Sequence, residues 1–161
     1  MPSRLSKRER EKFLAGRRIA VLVTLDADGA PVPTPIWYLY RGGAFLFRTS
    51  DDAIKTNNVR HDPRVSICVQ DERAPYRAVI AYGTASIEAP NPRLERDMPR
   101  HYLGAIGAMG YRAAAREAIE QGPDVTLVVR PTRYVSTDFS SDTPLYGRAW
   151  LLLKRVLPPW L

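Results

Sequence analysis

The chain has 161 residues, of which 45% are hydrophobic, and a formal net charge of +7. This length predicts a single globular domain, and the lone cysteine excludes an intramolecular disulfide bond. The N-terminal sequence is charged where a secretion signal requires an apolar core, and no apolar run approaches the roughly 20 residues that span a bilayer. We therefore expect a cytoplasmic protein.

The excess positive charge lies at the two ends of the chain. Residues 1–18 hold seven basic and two acidic side chains, and residues 139–161 hold three basic and one acidic side chain. The intervening residues, 19–138, hold 14 of each sign. A groove that binds nucleic acid needs its excess charge on the folded surface. This distribution therefore argues against nucleic acid as a partner.

The first predicted elements are a short helix and a β-hairpin. Residues 6–16 predict a helix that begins at a serine N-cap and ends at a glycine C-cap. The β-branched stretch 18–25 predicts a strand, and Asp28-Gly29 predicts a tight turn into a second strand over 31–40. Three prolines in this second strand block a regular central ladder, so we expect it at a sheet edge or with a bulge.

A third strand and a second helix follow. The strand covers residues 44–50, and the helix covers about residues 52–61, with Ser50 or Asp51 as its N-cap. We expect Asp62-Pro63 to end this helix.

Three further strands complete the pattern, over 64–70, 77–89 and 125–139, with two helices between the last two. Gly83 predicts a bend or bulge within the long strand. Six strands joined mostly by hairpins indicate an antiparallel sheet closed into a small barrel. The expected fold class is therefore mainly β, a β-barrel with α insertions.

The sequence holds no motif for a metal, a nucleotide or a catalytic serine. Two histidines and one cysteine are scattered and lack the spacing of a zinc site. Cys68 is compatible with a reactive thiol or with a small buried hydrophobe, and no neighbouring base supports the thiol.

The stretch FLFRTSDDAIK is the strongest local indication of a binding site. Arg48, Thr49 and Ser50 end a strand where a helix begins. Lys55 follows about one helical turn later, and it is the only lysine outside the two ends of the chain. A helix N-terminus with hydroxyls and a lysine suits an anion. A solvated helix face with a capping serine explains the same residues, so the spacing leaves both interpretations open.

The last residues, 144–161, are amphipathic at helical spacing. They predict a helix docked on the barrel or at a subunit contact, or a helix that rests on an acidic membrane surface. The single domain then divides into an N-terminal helix over 1–17, a barrel with helical insertions over 18–139, and an amphipathic segment over 140–161.

The order of these motifs resembles the pyridoxamine 5′-phosphate oxidase-like split-barrel flavoproteins. The resemblance is carried by TLDADGAPVPTPIWY, FRTSDDAIKTNNVRHDPRVS and the later YGTA, and it covers about residues 13–89. It is closest to the branch of flavin- and deazaflavin-dependent oxidoreductases. It implies a six-stranded antiparallel split barrel, FMN-binding-protein-like, that forms a homodimer with two cofactor sites at the interface.

The resemblance also implies roles for ten residues. The cofactor phosphate would be held by Lys55, Arg48, Thr49 and Ser50. The remaining cofactor contacts would come from Pro35, Ile36 and Trp37 along the ring, from Asn58 on the Lys55 face of the helix, and from Val69 and Gln70 of the other subunit.

The implied function is transfer of hydride from a bound deazaflavin, coenzyme F-420, to an electron-poor small molecule. The basic chain ends suit the polyglutamate tail of F-420 and favour that cofactor. The alternatives are an FMN-dependent oxidoreductase of the same fold and a protein that binds flavin, deazaflavin or haem without turnover. Tyr38, Tyr82 or a water would supply a proton. The C-terminal sequence LLLKRVLPPWL differs from the arginine-rich region of the oxidase, which argues against pyridoxamine phosphate oxidation.

Overall fold

The computed structural model describes residues 3–117 and 123–139, so the predicted segment 140–161 lies outside the described residues. Three helices and seven strands make up the described part of the chain. In chain order they are α1 (Lys7–Leu14), β1 (Ala20–Leu25), β2 (Pro31–Ile36), β3 (Leu39–Arg41), β4 (Ala44–Ser50), α2 (Ile54–His61), β5 (Arg64–Gln70), β6 (Arg77–Glu88), α3 (Pro92–Glu117) and β7 (Asp124–Asp138).

All six predicted strands are present, and the second is divided into two. Trp37 and Tyr38 interrupt it, so that β2 pairs with β1 and β3 pairs with β4. This division accounts for seven strands where the sequence predicts six. The three prolines lie in β2, whose one strand partner in the described sheet is β1. The prediction of an edge position is therefore confirmed. An edge strand tolerates prolines because one side of it needs no N–H donor.

The sheet curls into a barrel. Its strand order is β2-β1-β5-β6-β7-β4-β3, and every pairing is antiparallel. The two edge strands are consecutive in the chain, with Ile36 ending β2 and Leu39 beginning β3. Three residue steps span roughly 11 Å at most. The two edges of the sheet must therefore lie close together, which confirms the predicted barrel.

Two helices close opposite ends of the barrel core. Phe13 and Leu14 of α1 join the buried cluster near the start of β1, and the Tyr38 hydroxyl donates to the Leu14 carbonyl at 2.9 Å. Val59 of α2 joins the same cluster, and α2 is tied to the other end of β1 through Thr24. The β-strands fill the space between with inward side chains such as Phe45, Phe47, Leu22, Ile67 and Leu127, all 0–1% exposed.

The helix caps differ in part from the prediction. Ser6 is the N-cap of α1, as predicted, and it forms a capping box with Glu9. The C-cap is Ala15 rather than the predicted Gly16. The prediction that Ser50 or Asp51 caps α2 is wrong, because the N-cap is Ala53. Both predicted caps are used elsewhere: Ser50 donates to the Asp52 carboxylate, and the Asp51 carboxylate accepts from Arg60.

Two glycines act where the backbone requires them. A β-bulge lies between Tyr82 and Gly83, as predicted. A Cβ on Gly83 would lie 2.5 Å from the Arg130 carbonyl oxygen, so only glycine fits. The predicted pair of late helices lies within α3, whose two helical parts meet at a kink at Gly104 with φ of +72°. Within residues 3–117 and 123–139, no helix is both long and apolar enough to cross a membrane.

Candidate functional site

Lys55 and Thr49 lie together at the start of α2. The Lys55 ammonium donates to the Thr49 hydroxyl at 3.4 Å. Lys55 is half-buried and Thr49 is buried. No carboxylate among the described residues forms an ion pair with Lys55. No side chain caps the helix at Ala53, so the first N–H groups of α2 have no side-chain acceptor. This corner combines a cation, a hydroxyl and helix N–H groups, which together suit an anion such as a phosphate.

The turn that places Lys55 is held by its own hydrogen bonds. The Thr56 hydroxyl, fully buried, donates to the Ser50 carbonyl at 2.8 Å. Arg60 donates to the Asp51 carbonyl at 2.9 Å. These bonds fix the path from β4 into α2, so the position of Lys55 does not depend on a flexible loop.

Arg48 lies on the opposite face of β4 from Thr49, because side chains alternate along a strand. Its guanidinium donates two hydrogen bonds to the Asp124 carboxylate, one of them at 2.8 Å. Burial lowers the pKa of Arg48, but the hydrogen bond and charge of Asp124 outweigh it and raise that pKa overall. Of the four residues predicted at the phosphate, the structure therefore brings Lys55 and Thr49 together and places Arg48 in an ion pair. Ser50 directs its hydroxyl to Asp52.

Asn58 ties α2 to the barrel. Its side-chain amide donates to the Thr24 hydroxyl at 2.9 Å, and both side chains are buried. Asn58 therefore holds the helix that carries Lys55 against β1.

The predicted ring contacts divide between the two faces of the sheet. Ile36 and Val69 both pair with Ala20, which places them in one inward row, and Val69 is 0% exposed. Pro35 pairs with Val21 and is exposed on the outer face. Val69 is therefore closed to a ligand that approaches from outside, whereas Pro35 is exposed.

Trp37 and Gln70 meet at a cavity. Both line a space of about 550 Å³ between the start of β1, the loop after β5, and α3. The Trp37 indole stacks on the Tyr102 ring with centroids 4.6 Å apart and an interplanar angle of 2°. The Tyr102 hydroxyl accepts from the Tyr38 backbone N–H at 3.1 Å and donates to the Arg18 carbonyl at 2.6 Å.

Sequence reasoning missed Tyr102 and the arginines beside this cavity. Tyr102 lies 64 residues from Tyr38, with which it bonds, and no local pattern indicates that contact. Arg17 and Arg18 were counted only as part of the basic N-terminal stretch. Their position just before β1 is the one signal that places them next to the strand break.

The structure also bears on the reactive groups suggested by the sequence. Tyr38 is 1% exposed, its hydroxyl is bonded to Leu14, and burial raises its pKa, so we assign it a structural role. Tyr82 lies under the Arg133 guanidinium, 3.8 Å from the ring centroid. Cys68 is half-buried, and burial raises the pKa of its thiol, which supports the small-hydrophobe interpretation.

A single antiparallel sheet that curls until its edges meet, with helices at both ends, defines a split-barrel protein. A family model described as pyridoxamine 5′-phosphate oxidase matches residues 6–137. The chain belongs to the pyridoxamine 5′-phosphate oxidase family.

Solved structures share this fold. A conserved hypothetical protein of Mycobacterium tuberculosis is 25% identical, with a TM-score of 0.68 over 84% of this chain and 86% of that chain. An F-420 reductase is 24% identical, with a TM-score of 0.55 over 78% and 94%. An FAD-binding protein of Mesorhizobium loti is 22% identical, with a TM-score of 0.60 over 84% and 96%. These likenesses confirm the mainly β split-barrel fold.

Proposed function

We propose that the chain is an oxidoreductase that binds a flavin-type cofactor through its phosphate, with coenzyme F-420 preferred over FMN. The observation that carries this proposal is the half-buried Lys55 ammonium beside Thr49, at a helix start without a side-chain cap. Among the described residues this ammonium has no carboxylate partner, and a phosphate would supply one. The family and the flavin-related names of two structural neighbours support a flavin-type group.

The residues of this chain would bind and orient the cofactor. Lys55 and Thr49 would hold the phosphate, and Asn58 would keep α2 in place through Thr24. Pro35 and Trp37 would guide the ring along β2 and across the strand break. A reduced flavin or deazaflavin bound there would supply the hydride. The absence of an acid–base pair in the sequence is consistent with this division of labour.

The preference for F-420 depends on charge. The first 18 residues hold seven basic and two acidic side chains, and Lys7, Arg8 and Lys12 of α1 are exposed. A polyglutamate tail is a partner of the opposite charge, whereas FMN lacks one. F-420 affinity should therefore fall as salt rises, more steeply than FMN affinity.

A homodimer is part of the proposal. An apolar row crosses the outer face of five neighbouring strands through paired positions: Pro35, Val21, Cys68, Ile80 and Val135. Pro35 and Val135 are exposed and the other three are half-buried. At about 4.8 Å between strands, the row is roughly 19 Å long. An exposed apolar stripe of this length suits a self-complementary contact, which would place Pro35 at the subunit boundary.

Two experiments test this proposal. Titration of F-420 and of FMN against tryptophan fluorescence should give saturable quenching with F-420 at lower concentration; quenching by neither would refute a flavin-type function. Sedimentation should show a dimer that Ile80→Lys dissociates and Ile106→Lys, on the exposed α3 surface, leaves intact. A monomeric wild-type protein would refute the dimer while leaving the cofactor result to stand.

A further inference from the structure

The cavity beside Trp37 has the size and the walls of a small-molecule site. Its volume of about 550 Å³ lies within the usual range for ligand pockets, roughly 300–1,000 Å³. Ile19 and Leu103 supply aliphatic surface, and the Trp37 indole supplies a flat aromatic edge. These walls suit a planar, mainly apolar molecule.

The described residues that line the cavity include more arginines than carboxylates. Arg18 donates to the Asp71 carboxylate at 2.8 Å, and Arg77 donates to the other oxygen of Asp71 at 2.8 Å. Asp71 is therefore shared by two guanidinium groups and does not offset any further cation.

Two other arginines at the cavity lack an anionic partner among the described residues. Arg17 donates to a neutral acceptor, the Tyr102 carbonyl, at 3.1 Å, and no ion pair with a carboxylate forms at Arg17 or Arg73. Both side chains are exposed at the cavity rim. Glu72 is the one further carboxylate among the described lining residues, so these residues together keep an excess of positive charge.

This cavity lies at the opposite end of β1 from the Lys55 corner, and it shares Trp37 with the proposed path of the cofactor ring. Thr24, which holds α2, and Ile19, which lines the cavity, lie five residues apart along β1 and its start. Five strand residues span about 17 Å. The two sites therefore lie at opposite ends of the same strand, with Trp37 and Ile36 on the side of the cavity.

We propose that the cavity binds an organic anion, a carboxylate carried on a flat ring system, with Arg17 and Arg73 as its counter-charges. The flat part lies against Trp37, Ile19 and Leu103, and the carboxylate faces the rim. The further step, that this anion is the hydride acceptor, rests on the proposed function; binding of the anion does not.

A matched pair of probes tests the proposal. Calorimetric titration of the full chain with 2-naphthoate should give saturable binding, and neutral 2-naphthamide should bind about tenfold more weakly, since a charge-assisted hydrogen bond is lost. Arg17→Gln and Arg73→Gln should each weaken naphthoate about five- to tenfold and leave naphthamide unchanged. Arg17→Lys should restore part of the naphthoate affinity. Arg130→Gln, an exposed arginine on β7 outside the lining, is the control and should change neither.

Equal affinity for the two probes, no binding of either, or an equal loss in Arg130→Gln would overturn the proposal. Arg17 also bonds to α3, so the melting temperature of each variant is measured to detect a loss of stability. Arg73→Gln provides the independent result, because it removes no hydrogen bond seen in the described residues. Failure here with intact F-420 or FMN binding would refute the anion site alone. Naphthoate binding without cofactor binding would refute the proposed function and leave the anion site in place.

Discussion

Removal of one hydroxyl group, in Tyr102→Phe, should destabilise the fold while leaving its aromatic packing intact. The Tyr102 hydroxyl accepts from the buried Tyr38 N–H at 3.1 Å and donates to the Arg18 carbonyl at 2.6 Å. Phenylalanine keeps the stack on Trp37 but leaves the Tyr38 N–H without its acceptor. A buried polar group left unsatisfied costs about 1–3 kcal/mol. We therefore expect the free energy of unfolding to fall by that amount.

Urea unfolding at fixed protein concentration measures this change, and melting should fall by about 2–4 °C for each kcal/mol. Tyr111→Phe is the control, because Tyr111 also lies beside Trp37, with centroids 5.8 Å apart, but is 39% exposed. It should change stability by less than about 0.5 kcal/mol. A Tyr102→Phe protein as stable as wild type, or an equal loss in Tyr111→Phe, would refute the assigned role of the hydroxyl.

Three further predictions concern the barrel. Thr24→Val should destabilise by about 1–3 kcal/mol in urea unfolding, because the buried Asn58 amide loses its acceptor; no loss would mean that the bond does not anchor α2. Gly83→Ala should destabilise the fold by about 1–3 kcal/mol, because its Cβ would meet the Arg130 carbonyl. Gly110→Ala has open space around its Cβ and should stabilise the fold by up to about 1 kcal/mol. The reverse order of stabilities would contradict the bulge at Gly83. Burial raises the pKa of Cys68, so less thiolate is present at neutral pH. Iodoacetamide should therefore react with Cys68 more slowly in the folded than in the unfolded chain, and faster as pH rises. Equal rates in the folded and the unfolded chain would contradict the burial of Cys68.

Local patterns in the sequence predicted the barrel well. Asp28-Gly29 predicted the first hairpin, and Gly29 has φ of +80°. The alternation in 64–70 predicted β5, and the three prolines predicted the edge position of β2. Each depends on residues close together in the chain, where propensity and turn chemistry act directly.

The site was harder to predict because its contacts join distant parts of the chain. Lys55 and Thr49, six residues apart, were expected together and are together. Arg48 was expected with them, but its pairing with Asp124 depends on β7, 76 residues away. Ser50 was expected as a cap, but competition from Asp52 redirects its hydroxyl. The contact between Trp37 and Tyr102 depends on how α3 packs, which no local period encodes.

The measurement that tests the central claim most directly compares cofactor affinity in Lys55→Ala and Lys7→Ala. Lys7 is an exposed lysine on α1 and serves as the matched control. Loss of a charge-assisted contact to the phosphate should weaken binding of F-420, or of FMN, by about 1–3 kcal/mol in Lys55→Ala. Lys7→Ala should leave FMN affinity unchanged and change F-420 affinity by less than Lys55→Ala does. Unchanged affinity in Lys55→Ala, with the fold intact, would contradict the account and return Lys55 to the role of a solvated helix residue.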